Sequence, residues 1–173
     1  MEAIARAAHV SPKTIYGRYG SKEGIFGASL RARAAAVHAS LRAPIASSAD
    51  VRSVLVDFAT RLLTVTTSPE ALHMQRLVIA QSVRFPELGR EFFEAGPQCG
   101  MATLAAFFIR ATGAGFMNVI DPPSAAEMFC GALLGVPIRS ALIRHTRSSR
   151  RTIDRRASDV VALFLAAYGV PSR

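Results

Sequence analysis

The sequence predicts an all-α fold. Two observations carry that reading. Apolar residues recur three and four positions apart through most of the chain, and no stretch shows the period-two alternation of a half-buried strand. Helix-start signals punctuate the segments: Ser11-Pro12, Ser21, Asp50, Ser68-Pro69 and Ser124 each precede a run with helical spacing. At 173 residues, half of them hydrophobic, the chain can build one sizeable core and a small appended module. No uninterrupted apolar run is long enough to cross a bilayer, and Met1-Glu2-Ala3 does not begin a basic-then-apolar leader. Cys99 and Cys130 lie far apart without a Cys-x-x-Cys pattern, so buried free thiols in a cytoplasmic protein are expected, with no metal or cofactor.

Residues 2–8 place Ile4, Ala5 and Ala8 on one helical face with Arg6 away from it. His9-Val10 breaks the pattern, and Ser11-Pro12 restarts it as an N-cap with proline in the first turn. Ile15 and Tyr19 share a face of this second helix, leaving Lys13, Thr14, Gly17 and Arg18 largely on the others. Gly20 stops it and Ser21 opens a longer one. Helix, turn, short helix, long helix is the layout of a helix-turn-helix reader.

The residues Ile4, Ala5, Ala8, His9, Val10, Ser11, Thr14, Ile15, Tyr16, Arg18, Tyr19, Ser21, Lys22 and Ile25 resemble the DNA-binding motif of the TetR family of bacterial regulators. The departure is His9, where the family usually has glycine; a left-handed backbone there suits glycine and is reached by histidine at some cost. The resemblance implies that the helix starting at Pro12 enters the major groove with its N-terminal end toward the bases. Lys13 and Thr14 reach base edges or phosphate. Tyr16 and Lys22 occupy positions that hold phosphates, and Arg18 can serve either base or backbone. Gly17 has no side chain to read with.

In the family a whole helix precedes these residues. Here Met1 stands almost at the first motif position, so the expectation is a misplaced start or a truncated chain with about one more helix upstream. Ile4, Ala8, Val10 and Ile15 would then lack part of their cover.

Residues 21–42 read as one long Ala- and Arg-rich helix linking the reader to the rest. Ala43-Pro44 and Ser47-Ser48 break it, dividing a DNA-binding region at 1–42 from a regulatory and dimerisation domain at 43–173. Asp50 is the expected N-cap of an amphipathic helix carrying Val51, Leu55, Phe58, Leu62 and Val65. The helix opened by Ser68-Pro69-Glu70 is apolar nearly all round, which predicts burial. Phe85-Pro86-Glu87 opens another, which Gly96-Pro97 must kink or restart because proline lacks the N–H. Thr112 to Pro123 is a loop. Ser124 caps an apolar helix reaching Leu142 and Ile143, with Pro137 bending it. A last helix over 152–168 carries Ile153, Ala157, Val160, Phe164 and Ala167 on one side, and Gly169 and Pro171 end it.

His73 to Ala80, Arg84 to Leu88 and Phe92 to Pro97 resemble the AefR-like C-terminal domain found in part of the TetR family. That resemblance implies a helical regulatory domain without naming a ligand. Phe58, His73, Met74, Met101 and Phe108 are the candidate pocket residues; core packing explains Met74, Met101, Phe107 and Phe108 equally well, and water-facing helix edges explain His73 and Gln81. Met128, Leu142, Val160, Phe164 and Tyr168 are the candidate dimer contact, since helix pairs from two chains form a four-helix seam.

Nothing argues for an enzyme. His9, His38, His73 and His145 are scattered without metal-ligand spacing, and Gly113-Ala114-Gly115 lacks the strand a phosphate loop needs. The net charge of +9 has two sources. Residues 1–33 carry six basic against two acidic side chains, including both lysines of the chain, which fits phosphate binding. Residues 139–156 carry seven arginines against Asp154 and read as a solvated loop. The expected protein is a ligand-responsive repressor. Its partners are a palindromic double-stranded operator, a second copy of itself and an unknown small-molecule effector, with no membrane. The alternatives are a helical ligand- or partner-binding dimer that has lost DNA binding, and an all-helical enzyme.

Overall fold

The computed structural model describes residues 2–144 and 148–170, and they form an all-α protein. His145 and Arg147 of the arginine-rich stretch, and Pro171, lie outside the described residues. The reader begins with α1 (Glu2–Ala7) and α2 (Pro12–Tyr19), followed by the long α3 (Lys22–Val37). Local chemistry sets the two starts. Ser11 accepts a hydrogen bond from the Thr14 amide at 3.0 Å, and Ser21 accepts one from the Gly24 amide at 3.0 Å. His9 adopts φ 55°, the left-handed turn residue that the motif requires between the two short helices. Gly20, at φ 75°, ends α2 where a Cβ would be strained.

The linking helix is shorter than the sequence suggests. It closes at Val37, and Ser40–Arg42 form a 3-10 turn. Leu41 in that turn is fully buried, and the Arg110 guanidinium donates to its carbonyl. Ala43 is extended, as a residue before proline prefers, and the chain reverses into α4 (Ser48–Thr66). Its N-cap is Ser47, not Asp50: Ser47 accepts from the Asp50 amide at 3.2 Å while the Asp50 carboxylate accepts from the Ala46 amide at 3.0 Å. The pair resembles a capping box, with the aspartate carboxylate reaching back to the amide just before the N-cap.

After α4 come α5 (Pro69–Gln81), α6 (Pro86–Phe93), a π-helical segment (Glu94–Gln98) and α7 (Cys99–Gly113). Pro97 does not break the chain into two helices. The wider π turn takes the proline in, and α6 runs into α7 through it. The expectation that α5 is buried on all sides fails: Leu77, Ile79 and Val83 beyond its end are exposed. Only Ala71, Leu72 and Val78 of the helix are buried, because its neighbours cover one face.

The last pair is α8 (Pro122–Arg144) and α9 (Arg150–Tyr168). The start of α8 is held by Asp121, whose carboxylate accepts from the Ser124 amide at 3.1 Å; Ser124 is inside the helix. Its C-terminal carbonyls at Ala141 and Leu142 accept from Arg76 of α5 at 2.9–3.1 Å, a cation placed at the negative end of the helix. By length and composition α8 is apolar enough to cross a membrane. Here it is part of the bundle, packed along α7, with Phe129 and Leu133 fully buried. The arginine-rich stretch is mostly helical, not loop: it supplies the end of α8 and the first turns of α9.

The core lies where α4, α7, α8 and α9 meet, with α4 packed mainly on α9 and α7 on α8. Its centre is a cluster of rings. Phe129 meets Phe164 edge-on at 5.0 Å, Phe108 stacks on Phe164 at 6.0 Å, and Phe58 lies 6.3 Å from Phe129. Each such ring contributes a large apolar area to the core. The end of α9 is pinned to the loop after α7, where Asn118 donates to the Tyr168 carbonyl and Val170 to that of Phe116.

Candidate nucleic-acid interface and ligand cavity

The short helix α2 presents a polar, basic surface. Lys13, Thr14, Tyr16, Gly17 and Arg18 are all exposed, and Lys22 is exposed in the first turn of α3. Ile15 faces inward and is buried, which orients the others outward. Thr14 shares a hydrogen bond with Ser11 at 2.8 Å, so its hydroxyl helps close the cap as well as facing solvent. The Arg18 guanidinium lies over the Tyr19 ring at 5.6 Å, a cation–π contact that holds it along the helix surface. A substituent at Gly17 would meet no neighbour, leaving a smooth gap between Lys13 and Arg18. Of the four apolar residues expected to lack cover, Ile4, Ala8 and Val10 are exposed, while Ile15 is not.

A cavity of about 210 Å³ opens beside the other end of α3. Leu30, Ala34, Val37 and His38 from α3 and its cap form one wall. Residues of α4 through α8, including Phe92, Gly96, Met101, Cys130 and Ile138, form the rest. Of the residues proposed from the sequence, Met74 and Met101 line it. Phe58 and Phe108 are fully buried in the ring cluster behind it, and His73 lies on the exposed side of α5. Wider surface grooves of about 570 and 540 Å³ exist along α4, but they are open to solvent.

Sequence reasoning missed His38. A single histidine at the end of an Ala-rich helix carries no pattern, yet it is 3% exposed and sits in the cavity wall. Burial, with the Arg42 charge nearby, lowers its pKa, so the imidazole is neutral near pH 7. Cys130, also in the wall, is pushed up to about 11 by burial and stays a thiol.

One contact joins the cavity to the reader. Phe92, a wall residue on α6, stacks on Phe26 of α3 at 6.3 Å. Beside it Glu91 lies against Gly27 and pairs with Arg31 at 3.1 Å. Thus α6 grips the half of α3 nearer the reader.

Residues 53–170 match the family profile described as the AefR-like transcriptional repressor C-terminal domain, and residues 1–28 match that of the tetR family of bacterial regulatory proteins. The chain belongs to the TetR family. Among solved structures, a TetR-family transcriptional regulator from Mesorhizobium loti is 32% identical, with a TM-score of 0.75 over 98% of this chain and 86% of that one. The flavonoid-responsive regulator FrrA is 28% identical, with a TM-score of 0.72 over 99% and 87%. A TetR regulator from Agrobacterium tumefaciens shares the fold at 23% identity, with a TM-score of 0.77 over 98% and 83%. No curated protein sequence matches significantly. Family membership makes the chain a transcriptional regulator.

The residues proposed for dimer contact separate into two groups. Val160 and Phe164 are buried inside the protomer, and Tyr168, half-buried, packs its ring on Phe164 at 5.2 Å. Leu142 is half-buried. Met128 is exposed, as are Val136 and Ile143 on α8 and Leu163 on α9. The apolar face left open on this helix pair is therefore one position away from the one the periodicity suggested on α9.

Proposed function

We infer that the chain is a ligand-responsive DNA-binding repressor that acts as a homodimer on a palindromic operator. One observation carries this reading: α3 starts at Lys22 in the DNA-facing unit and ends in the wall of the cavity. A molecule lodged against Leu30, Ala34 and Val37 shifts the same helix that positions α2. It releases DNA by binding more tightly to a state whose two readers are wrongly spaced. The DNA-binding region at 1–42 and the regulatory domain at 43–173 thus share α3 as their mechanical link. The FrrA likeness supports an aromatic effector.

In this reading Lys13, Thr14 and Arg18 meet base edges or phosphate in the major groove, and Tyr16 and Lys22 clamp phosphates. Two copies hold their readers about 34–36 Å apart, one helical turn of DNA. The open faces of α8 and α9 supply the seam: Met128, Val136, Ile143 and Leu163 give apolar area, while Gly131 and Gly135, with no neighbours, let a partner helix come close. The protein works in the cytoplasm, where the DNA is.

The test is fluorescence anisotropy with the DNA upstream of the protein's own gene. Binding of two protomers to a palindromic segment, falling steeply as salt rises, is the expected result. A protein that ignores this DNA and random DNA alike in 50 mM salt would be the ligand-binding dimer without a reader function.

A further inference from the structure

We propose that the cavity recognises a compact single-ring phenol, with the neutral imidazole of His38 accepting the hydrogen bond from its hydroxyl. The proposal rests on the cavity being the effector site and names the chemistry of that effector.

Size comes first. A cavity of about 150 Å³ lined by apolar side chains holds benzene. At about 210 Å³ this one has room for one ring and a short substituent. It falls below the volumes of about 300–1,000 Å³ typical of drug-sized ligands, so a three-ring molecule does not fit without expansion. Leu30, Val65, Met74, Leu134 and Ile138 make the walls apolar, and the Phe92 ring offers an aromatic surface.

Polarity comes second. His38 is 3% exposed, and among the described residues no hydrogen bond is seen to either ring nitrogen; both keep some open surface, unlike Ser40 Oγ and Arg156 Nε, the side-chain atoms fully buried without a partner. A polar atom with open surface in a buried wall is free to take a partner from the cavity. Its position is fixed by packing: the ring lies 6.0 Å from that of Phe58, and a Cβ on Gly100 would stand 3.3 Å from Nε2. Two other polar side chains of the wall are already engaged. Gln75 donates to the Thr66 carbonyl at 3.1 Å, and the Thr66 hydroxyl donates to that of Leu62 at 2.6 Å.

Charge comes third. Among the described residues of the wall Arg33 is the cation, and it is exposed. Among the described residues no carboxylate lines the cavity. A carboxylate ligand would lie deep beside a neutral imidazole, with the Arg42 charge near His38 but outside the cavity wall, and burial penalises it. A hydroxyl gives the imidazole the donor it lacks and brings no net charge inside.

The experiment is titration calorimetry of the full chain, without DNA, with 4-ethylphenol and with ethylbenzene. The two probes differ only in the hydroxyl. Wild type is expected to bind 4-ethylphenol roughly tenfold more tightly, the effect of one buried hydrogen bond. His38→Phe should shrink that preference to within about twofold, and Ala34→Leu, which fills the cavity, should weaken both probes. In ¹⁵N spectra of wild type the His38 ring nitrogens should shift with 4-ethylphenol and not with ethylbenzene. Equal affinities in wild type, a preference kept by His38→Phe, or no binding of either probe would overturn the proposal. Should His38→Phe fail to fold, unmoved His38 nitrogens in the wild type overturn it alone. Because no DNA is present, loss of operator binding in a separate assay strikes the regulator reading and leaves the phenol assignment standing. Release of the operator by some other compound, with both probes ignored, does the reverse.

Discussion

Glu91 lies against Gly27 so closely that a Cβ on Gly27 would overlap its carboxylate. The same carboxylate pairs with Arg31 one turn further along α3 at 3.1 Å. This is a contact between the cavity side of the bundle and the helix that carries the reader, and only a glycine at position 27 permits it.

Gly27→Ala should push the Glu91 side chain aside and break its pair with Arg31. Stability should change little, because alanine gains roughly 1 kcal/mol in helix propensity and a half-exposed ion pair is worth about 0–1 kcal/mol. Coupling should suffer instead. The ratio of operator affinities with and without effector, measured by anisotropy, should fall at least severalfold while the melting temperature stays within a few degrees. An unchanged ratio would place the coupling elsewhere.

Lys22→Ala should weaken DNA binding about equally on all sequences and lower the salt slope by about one unit. Lys22 sits exposed in the first turn of α3, where the N-terminal end of the helix favours an anion. Identical slopes for variant and parent would remove Lys22 from the phosphate contacts.

Leu163→Glu and Phe164→Ala should separate assembly from folding. Leu163 is 64% exposed and Phe164 6% exposed, though they are adjacent. Leu163→Glu puts a charge in the proposed seam and should give a folded monomer in sedimentation. Phe164→Ala empties the ring cluster and should cost about 3–5 kcal/mol of stability. If Leu163→Glu sediments as an intact dimer, the seam is not on that face of α9.

His38 links stability to pH. Its folded pKa lies below the value near 6.5 of the unfolded chain, from burial and then from Arg42. Above about pH 6.5 the imidazole is neutral in both states and its full contribution is present. As pH falls below 6.5 the unfolded chain takes up the proton first, so stability drops until the folded pKa is passed. Cys130, in the same cavity wall, is pushed up to about 11 by burial and stays a thiol across that range, so it does not reverse this. Urea midpoints should therefore decline from pH 7.5 to pH 5.5 more in wild type than in His38→Phe. Parallel declines would show that His38 does not contribute.

Much of this protein was legible because its signals are local. Ser11, Ser21 and Ser68 cap helices through bonds to amides three residues on, and His9 takes the left-handed turn that the motif calls for. The reader's order of helix, turn and helix follows from those few bonds. Spacing also marks which helices are amphipathic. It does not say which neighbour covers an apolar face, and there the tertiary structure decided. The α5 helix is apolar on most sides yet exposes Leu77 and Ile79, because its neighbours lie on one side only. On α9, Leu163 and Phe164 are both apolar, and only the packing of Phe108 and Phe129 against Phe164 turns one inward and the other out. The cavity and the Glu91–Gly27 contact join residues tens of positions apart, so no window of sequence contains them. Local hydrogen bonds act within four residues and can be read along the chain; burial depends on what the folded chain brings alongside.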